Sequence, residues 1–269
     1  NASGVVSLIL SANPELTWRD VRHVLASTST LIDADNAAVS LTVGEGEFVA
    51  HDGWVENAAG YNFNNLYGFG RADAGAAVAM AKAYGANLGE QVITEWNGVG
   101  SVVAEDALTL EIPDNNAAGL TQEIEVTEEL SIEAMQFKFD VSNSEMVLDL
   151  SDGTQTSAGN DLAIEVTSPA GTRSVLLSSK QALFYPAYSF TNGWSIGYVL
   201  KDAVMLSNAF YGESTKGTWK IRLLDTSADS FALSDGGDNG LGAIGISNNS
   251  SASVLEGVSL RAFGHAGQE

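Results

Sequence analysis

The chain has 269 residues and a formal net charge of −22, from 12 Lys and Arg against 34 Asp and Glu. Hydrophobic residues make up 45%, too many for a disordered chain and enough for the core of one large domain or two ordinary ones. The acid excess excludes nucleic-acid binding by phosphate neutralisation and opposes an anionic membrane surface. It suits solubility, or oxygen ligands for a hard cation such as calcium. With no cysteine, disulfides, zinc thiolates and thiol nucleophiles are excluded as well. No apolar run reaches the roughly 18 residues of a membrane span. Asn1 to Leu10 offers neither an initiator Met nor a basic leader, so the sequence reads as a piece of a longer chain.

Along the chain, Gly4 to Ala12 is small and apolar on all sides, the pattern of a buried helix stopped by Asn13-Pro14. Thr17 then caps a second helix, with Asp20 completing a capping box and Trp18, Val21, Val24 and Leu25 at helical spacing. Residues 29–66 predict a long loop with one short strand at Ala38 to Val43. A Tyr67-Gly68-Phe69-Gly70 turn leads into a helix from Asp73 to Tyr84, closed by Gly85. Near residue 90 the texture changes. Short alternating segments, among them Glu123 to Val126, Ile132 to Val141, Met146 to Leu150, Leu162 to Thr167, Trp219 to Leu224 and Val258 to Phe263, predict a β-sandwich or barrel. Ser247 to Ser253 reads as a flexible loop.

Several stretches together resemble the subtilisin superfamily in its kexin branch. The run from Asn1 through Asn13-Pro14-Glu15-Leu16-Thr17-Trp18-Arg19-Asp20 is similar to the helix that follows the catalytic serine there. Trp54, Gly60, Phe63, the Tyr67 to Gly70 turn and Asp73-Ala74 resemble the end of that catalytic domain. Asn160 to Leu177, Phe210-Tyr211-Gly212-Glu213 with Gly217-Thr218-Trp219, and Val258 to His265 resemble the P domain that follows it. The segment after Asp225 is longer than the family's usual loop, and Ser189 to Leu206 matches poorly. The resemblance implies a mostly β chain: a jelly-roll P domain at residues 95–266, preceded by the C-terminal helical part of a subtilisin-like α/β domain at residues 1–90. It implies a secreted or periplasmic serine endopeptidase acting on polypeptides. The triad Asp, His and Ser, and the oxyanion Asn, would all precede Asn1, so no catalytic residue falls on this chain. Its partner would be the upstream part of its own catalytic domain, which the P domain stabilises. The alternative is a stand-alone β-sandwich that binds protein or glycan.

Asp225, Asp229, Asp235 and Asp238 fall in one Gly-rich stretch and form a candidate calcium cage, against the plainer reading of a solvated acidic loop. Gly193-Trp194-Ser195-Ile196-Gly197 matches a nucleophile elbow, with Asp202 or Asp225 and His265 following in hydrolase order. The elbow needs a parallel strand before it and a helix after it, and no βα alternation is present, so Ser195 reads as an ordinary strand or loop serine. His23 reads as a packed helix residue, whereas His51 and His265 read as exposed. Trp18, Trp96, Trp194 and Trp219 are assigned to core or interdomain packing, and Glu128 and Glu129 to solvent.

Overall fold

A computed structural model describes residues 2–86, 88–100, 106–145, 155–156, 161–179, 198–229, 231–233, 244–249 and 251–266. Helix α1 (Ala2–Ala12) is followed by α2 (Trp18–Thr28), whose capping box forms as the sequence predicts. The Thr17 hydroxyl accepts from the Asp20 N–H, and the Asp20 carboxylate accepts from the Thr17 N–H at 2.8 Å. Helix α3 (Ala74–Lys82) is capped by Asp73, whose Oδ1 accepts from Ala76 N–H at 2.9 Å. It ends at Ala83, before Gly85 is reached. The three helices close over Ile9, Leu16, Val21, Val24, Ala77 and Ala81.

Helix α1 is not enclosed as its composition predicts. Only Ile9 is buried, while Leu8 and Leu10 are 52% and 38% exposed. Small apolar residues all round a helix need partners all round it, and within this chain α1 packs chiefly on α3.

Residues 29–66 hold more structure than the expected loop. Strand β1 (Val39–Val43) pairs antiparallel with β2 (Gly46–His51), and the two-residue strands β3 (Val55–Glu56) and β4 (Asn62–Phe63) form a second pair. The apolar alternation Val39, Leu41, Val43 and Phe48, Ala50 is diluted by Ser, Thr and Glu on the outer positions, which masks the period.

From Val92 onward the described elements are strands: β5 (Val92–Ile93), β6 (Asn97–Gly100), β7 (Leu110–Ile112), β8 (Leu120–Val126), β9 (Ser131–Ser142), β10 (Gln155–Thr156), β11 (Leu162–Thr167), β12 (Arg173–Leu177), β13 (Tyr198–Ser207), β14 (Gly217–Asp225), β15 (Phe231–Leu233), β16 (Ile244–Ser247) and β17 (Ser253–His265). One sheet runs β12-β11-β14-β8. The other runs β13-β9-β17-β5, with β6 and β7 also paired to β17. The pairings in both sheets are antiparallel, and β10, β16 and β15 form a smaller third sheet.

The two large sheets share one core, in which Phe137, Phe139, Ile164, Phe210, Trp219 and Ile221 are fully buried. Strand β11 is buried on both faces. Leu162, Ile164 and Val166 join the common core, while Ala163 packs with Val175 and Leu224 under Val43 and Phe48 of the β1–β2 hairpin. The segment Met146 to Leu150, read as a strand, lies outside the described residues.

Trp219 anchors this core. Its ring meets Phe210 edge-on at 5.0 Å, and its Nε1–H donates to Thr215 O at 2.8 Å. Trp219→Ala is expected to cost about 3–5 kcal/mol, through cavity formation and loss of that donor. Urea unfolding of the two chains measures it.

Candidate functional site

The charged and aromatic residues that sequence matching spreads along the chain converge where the helical segment meets the β sheets. Phe210-Tyr211-Gly212-Glu213 sits at the centre, held to the start of β9 by Ile132 N–H to Glu213 O (2.9 Å) and Gly212 N–H to Ile132 O (2.7 Å). Each of its residues has a separate task. Phe210 points into the core. Tyr211 points outward, its ring 5.0 Å from Tyr61 and 5.7 Å from Phe69 of the Tyr67 to Gly70 turn. Gly212 has φ +80°, and a Cβ there would lie 2.9 Å from the Tyr61 ring. Glu213, 4% exposed, takes hydrogen bonds from Ala58 N–H at 3.0 Å, Ser168 Oγ at 2.7 Å and the Thr172 hydroxyl. Beside it, Asn57 Nδ2 donates to the carbonyls of Ala209 and Tyr211, each at 2.9 Å.

A second buried carboxylate, Glu133 of β9, ties α2 to the sheet. Arg19 Nε donates to both Glu133 oxygens at 3.0 and 3.2 Å, and Arg19 Nη1 donates to Gly89 O at 2.7 Å. His265 Nδ1 lies 2.9 Å from Glu133 Oε1. Arg22 Nη2 donates to Glu133 O at 2.5 Å and Asn208 Oδ1 at 2.6 Å. Burial opposes ionisation of Glu133, but the hydrogen bonds from Arg19 and His265 outweigh it and hold the carboxyl below its ordinary range. One turn along α2, His23 Nδ1 is 3.0 Å from the Tyr211 hydroxyl. A third link joins the β1–β2 hairpin to the four-stranded sheet. Arg173 bonds Asp52 Oδ1 and Val49 O, each at 2.5 Å, and Glu165 Oε2 at 2.6 Å, and Arg222 holds the other Glu165 oxygen at 2.7 Å.

His265 is therefore not exposed, as its terminal position suggested. It is 9% exposed because β17 runs back to the α2 contact, where Glu133 needs a second donor. His23 is partly buried against Tyr211, in keeping with a packed helix residue. His51 is also partly buried, with Nε2 2.7 Å from Asn36 Oδ1. Trp219 is core, whereas Trp18 is 62% exposed. Trp96 lies under the guanidinium of Arg261, 4.6 Å from the ring centre. Ser195 and Trp194 lie outside the described residues.

Of the four aspartates read as a calcium cage, Asp235 and Asp238 also lie outside the described residues. Asp229 is exposed, and its N–H donates to Ser227 Oγ at 3.0 Å. Asp225 is not on a loop but at the buried end of β14, 3% exposed, accepting from Ser227 N–H at 3.2 Å. Burial pushes it up to about 6, and the charge of Asp114 adds to this. Among the described residues, no group of three His, Cys, Asp or Glu side chains is disposed to hold a metal.

Known proteins are similar to this chain over much of its length. Residues 150–233 match the family described as the proprotein convertase P-domain, and the chain is a homologue of subtilisin/kexin-type serine proteases across that region. Among relatives, it is 32% identical over 234 residues to the Aeromonas extracellular serine protease of Aeromonas sobria, covering 84% of this chain and 34% of the relative. It is 29% identical to neuroendocrine convertase 2 of Drosophila melanogaster, covering 82% of this chain and 28% of the relative. The crystal structure of the Aeromonas sobria serine protease in complex with the chaperone ORF2 superposes with a TM-score of 0.82 at 29% identity, covering 99% of this chain and 43% of that one. The chain thus spans about a third of the length of these two curated relatives.

Two substitutions probe the site. Gly212→Ala forces a side chain into a positive-φ position against Tyr61 and is expected to cost about 1–3 kcal/mol in a thermal melt. Asp225→Asn tests the calcium reading. The raised Asp225 value makes the folded state hold a proton the unfolded chain has lost, so stability falls as pH rises from about 4 through about 6. In chelator at pH 7.5, Asp225→Asn should be more stable by on the order of 2–3 kcal/mol, with the gap closing below pH 4. If Asp225 is a calcium ligand, the same substitution lowers the melting temperature in millimolar calcium.

Proposed function

We propose that the chain is the C-terminal portion of a secreted subtilisin/kexin-type serine endopeptidase that hydrolyses polypeptides. Residues 1–90 complete its catalytic domain, and residues 95–266 form the P domain, a jelly roll that holds them in place. On this reading none of the triad residues lies in this portion, and its work is mechanical. Serine attack on a peptide carbonyl needs a nucleophile fixed within about half an ångström of its productive geometry, and the helix behind it must not shift.

The observation that carries the reading is the bare face of α1. An apolar helix with Leu8 and Leu10 in water is a surface that calls for a partner, while its other side packs chiefly on α3, beside α2, which Arg19, Arg22 and His23 tie to Glu133 and Tyr211. The superposition on a relative more than twice as long, with this chain covering 43% of it, supports the same division of labour.

The test is to express the encoded protein with its upstream coding region and compare it with the 269-residue chain on a chromogenic peptide. The longer protein should cleave the peptide and be silenced by a sulfonyl fluoride that modifies active-site serine. The 269-residue chain should show no turnover. Sulfonyl-fluoride-sensitive cleavage by the shorter chain, or an upstream region that encodes no catalytic serine, would overturn the proposal.

A further inference from the structure

The chain has three histidines, and two of them, His23 and His265, meet at one buried cluster between α2 and the sheet. We propose that this pair makes the contact acid-sensitive: the cluster is closed when His23 is neutral, and α2 loosens from the sheet when His23 takes up a proton.

His23 is faced by Arg19, Asp20 and Arg22 on its own helix, by Tyr84 just beyond α3, by Tyr211, by Glu133 on β9 and by His265 on β17. Two of these groups are anions. Glu133 is already shared by Arg19 and His265. Asp20 has one oxygen taken by the Tyr84 hydroxyl at 2.6 Å and the other by Thr17. A proton on His23 therefore adds a cation to a helix that already carries Arg19 and Arg22, near a second histidine, where both carboxylates already hold other donors. Its one polar contact in this cluster is the neutral Tyr211 hydroxyl, whose ring is wedged between Tyr61 and Phe69 and cannot swing away.

Burial, and after it the charge of His265, hold His23 below the ordinary histidine value. The folded state then binds fewer protons than the unfolded chain as pH falls below about 6.5. The stabilisation is complete above that value and is lost as pH drops toward the folded value. Glu133 is depressed in the usual carboxylate sense, so its contribution persists to lower pH. The histidine step therefore comes first on acidification. It acts where α2 enters the sheet contact, so the helical segment loses its anchorage before the β core is affected. The switch concerns contacts within this chain and does not depend on the protease reading.

The experiment uses the whole 269-residue chain, with imidazole NMR titration from pH 8 to pH 5 and thermal melts at pH 7.5 and 5.5. In the unaltered chain His23 should titrate below 6.5. In an Asp225→Asn background, which removes the opposite pH effect of Asp225, the melting temperature should fall between the two pH values by several degrees. His23→Gln should lose at least half of that fall. His265→Gln should raise the His23 midpoint, because it removes one of the two causes of the depression, a coupling that a purely structural role would not produce. His23 titrating at or above 6.5, an unchanged midpoint in His265→Gln, or an equal fall in His23→Gln would each overturn the proposal. If His23→Gln does not fold, the two titrations decide the matter alone.

Discussion

An ionised carboxylate taken out of water costs several kcal/mol unless charged donors meet its oxygens, and Glu133 is 1% exposed. Its donors come from opposite ends of the chain, Arg19 from the second helix and His265 from the close of the last strand. This constrains everything between them. Arg19 and Arg22 of α2 both lie on Glu133, so the helix that helps to shut the carboxylate from water also brings the cation that meets it. Docking of the helical segment is therefore a matter of electrostatics as much as of the helices' apolar faces. Arg19 is equally dependent, because breaking a buried pair strands the surviving charge at about 3–5 kcal/mol.

The second carboxylate, Glu213, works differently. Its partners are hydroxyls and a backbone N–H rather than cations, so it sets direction more than it adds attraction. Ala58 N–H must point at it, and Asn57 must reach two carbonyls at the same time. An apolar contact of the same area would slide at little cost, whereas this one has a single register. The aromatic layer of Tyr61, Phe69 and Tyr211 then supplies contact area around a fixed alignment.

Much of this fold is legible in the sequence because it is local. Thr17 with Asp20 and the alternation in Leu162 to Thr167 each carry their own reason within a few residues. The clasp is not local. Glu133 stands in a stretch, Ile132 to Met135, that is buried on both faces, and the only trace in the sequence is an acid inside an otherwise apolar run. His265 looked free because nothing near it in sequence needs a donor. Trp18 looked like core because large aromatics usually are, and its exposure reflects what packs on it within this chain rather than its chemistry. Residues 29–66 looked like loop because the β1–β2 hairpin turns polar side chains outward and buries only Val43 and Phe48 against a sheet more than a hundred residues away.

Strand β17 closes the six-stranded sheet and pairs with β5, β6, β7 and β9. It is also made long after α2. At roughly 5–20 residues per second of synthesis, His265 emerges about 10–50 s after Arg19. Throughout that interval the nascent chain carries α2 with its salt-bridge network incomplete, and a sheet whose central strand has not yet been translated. The hazard for this molecule is therefore one of timing: its most distant residues in sequence must be the last to meet, and until they do the earlier-made parts wait with open edges.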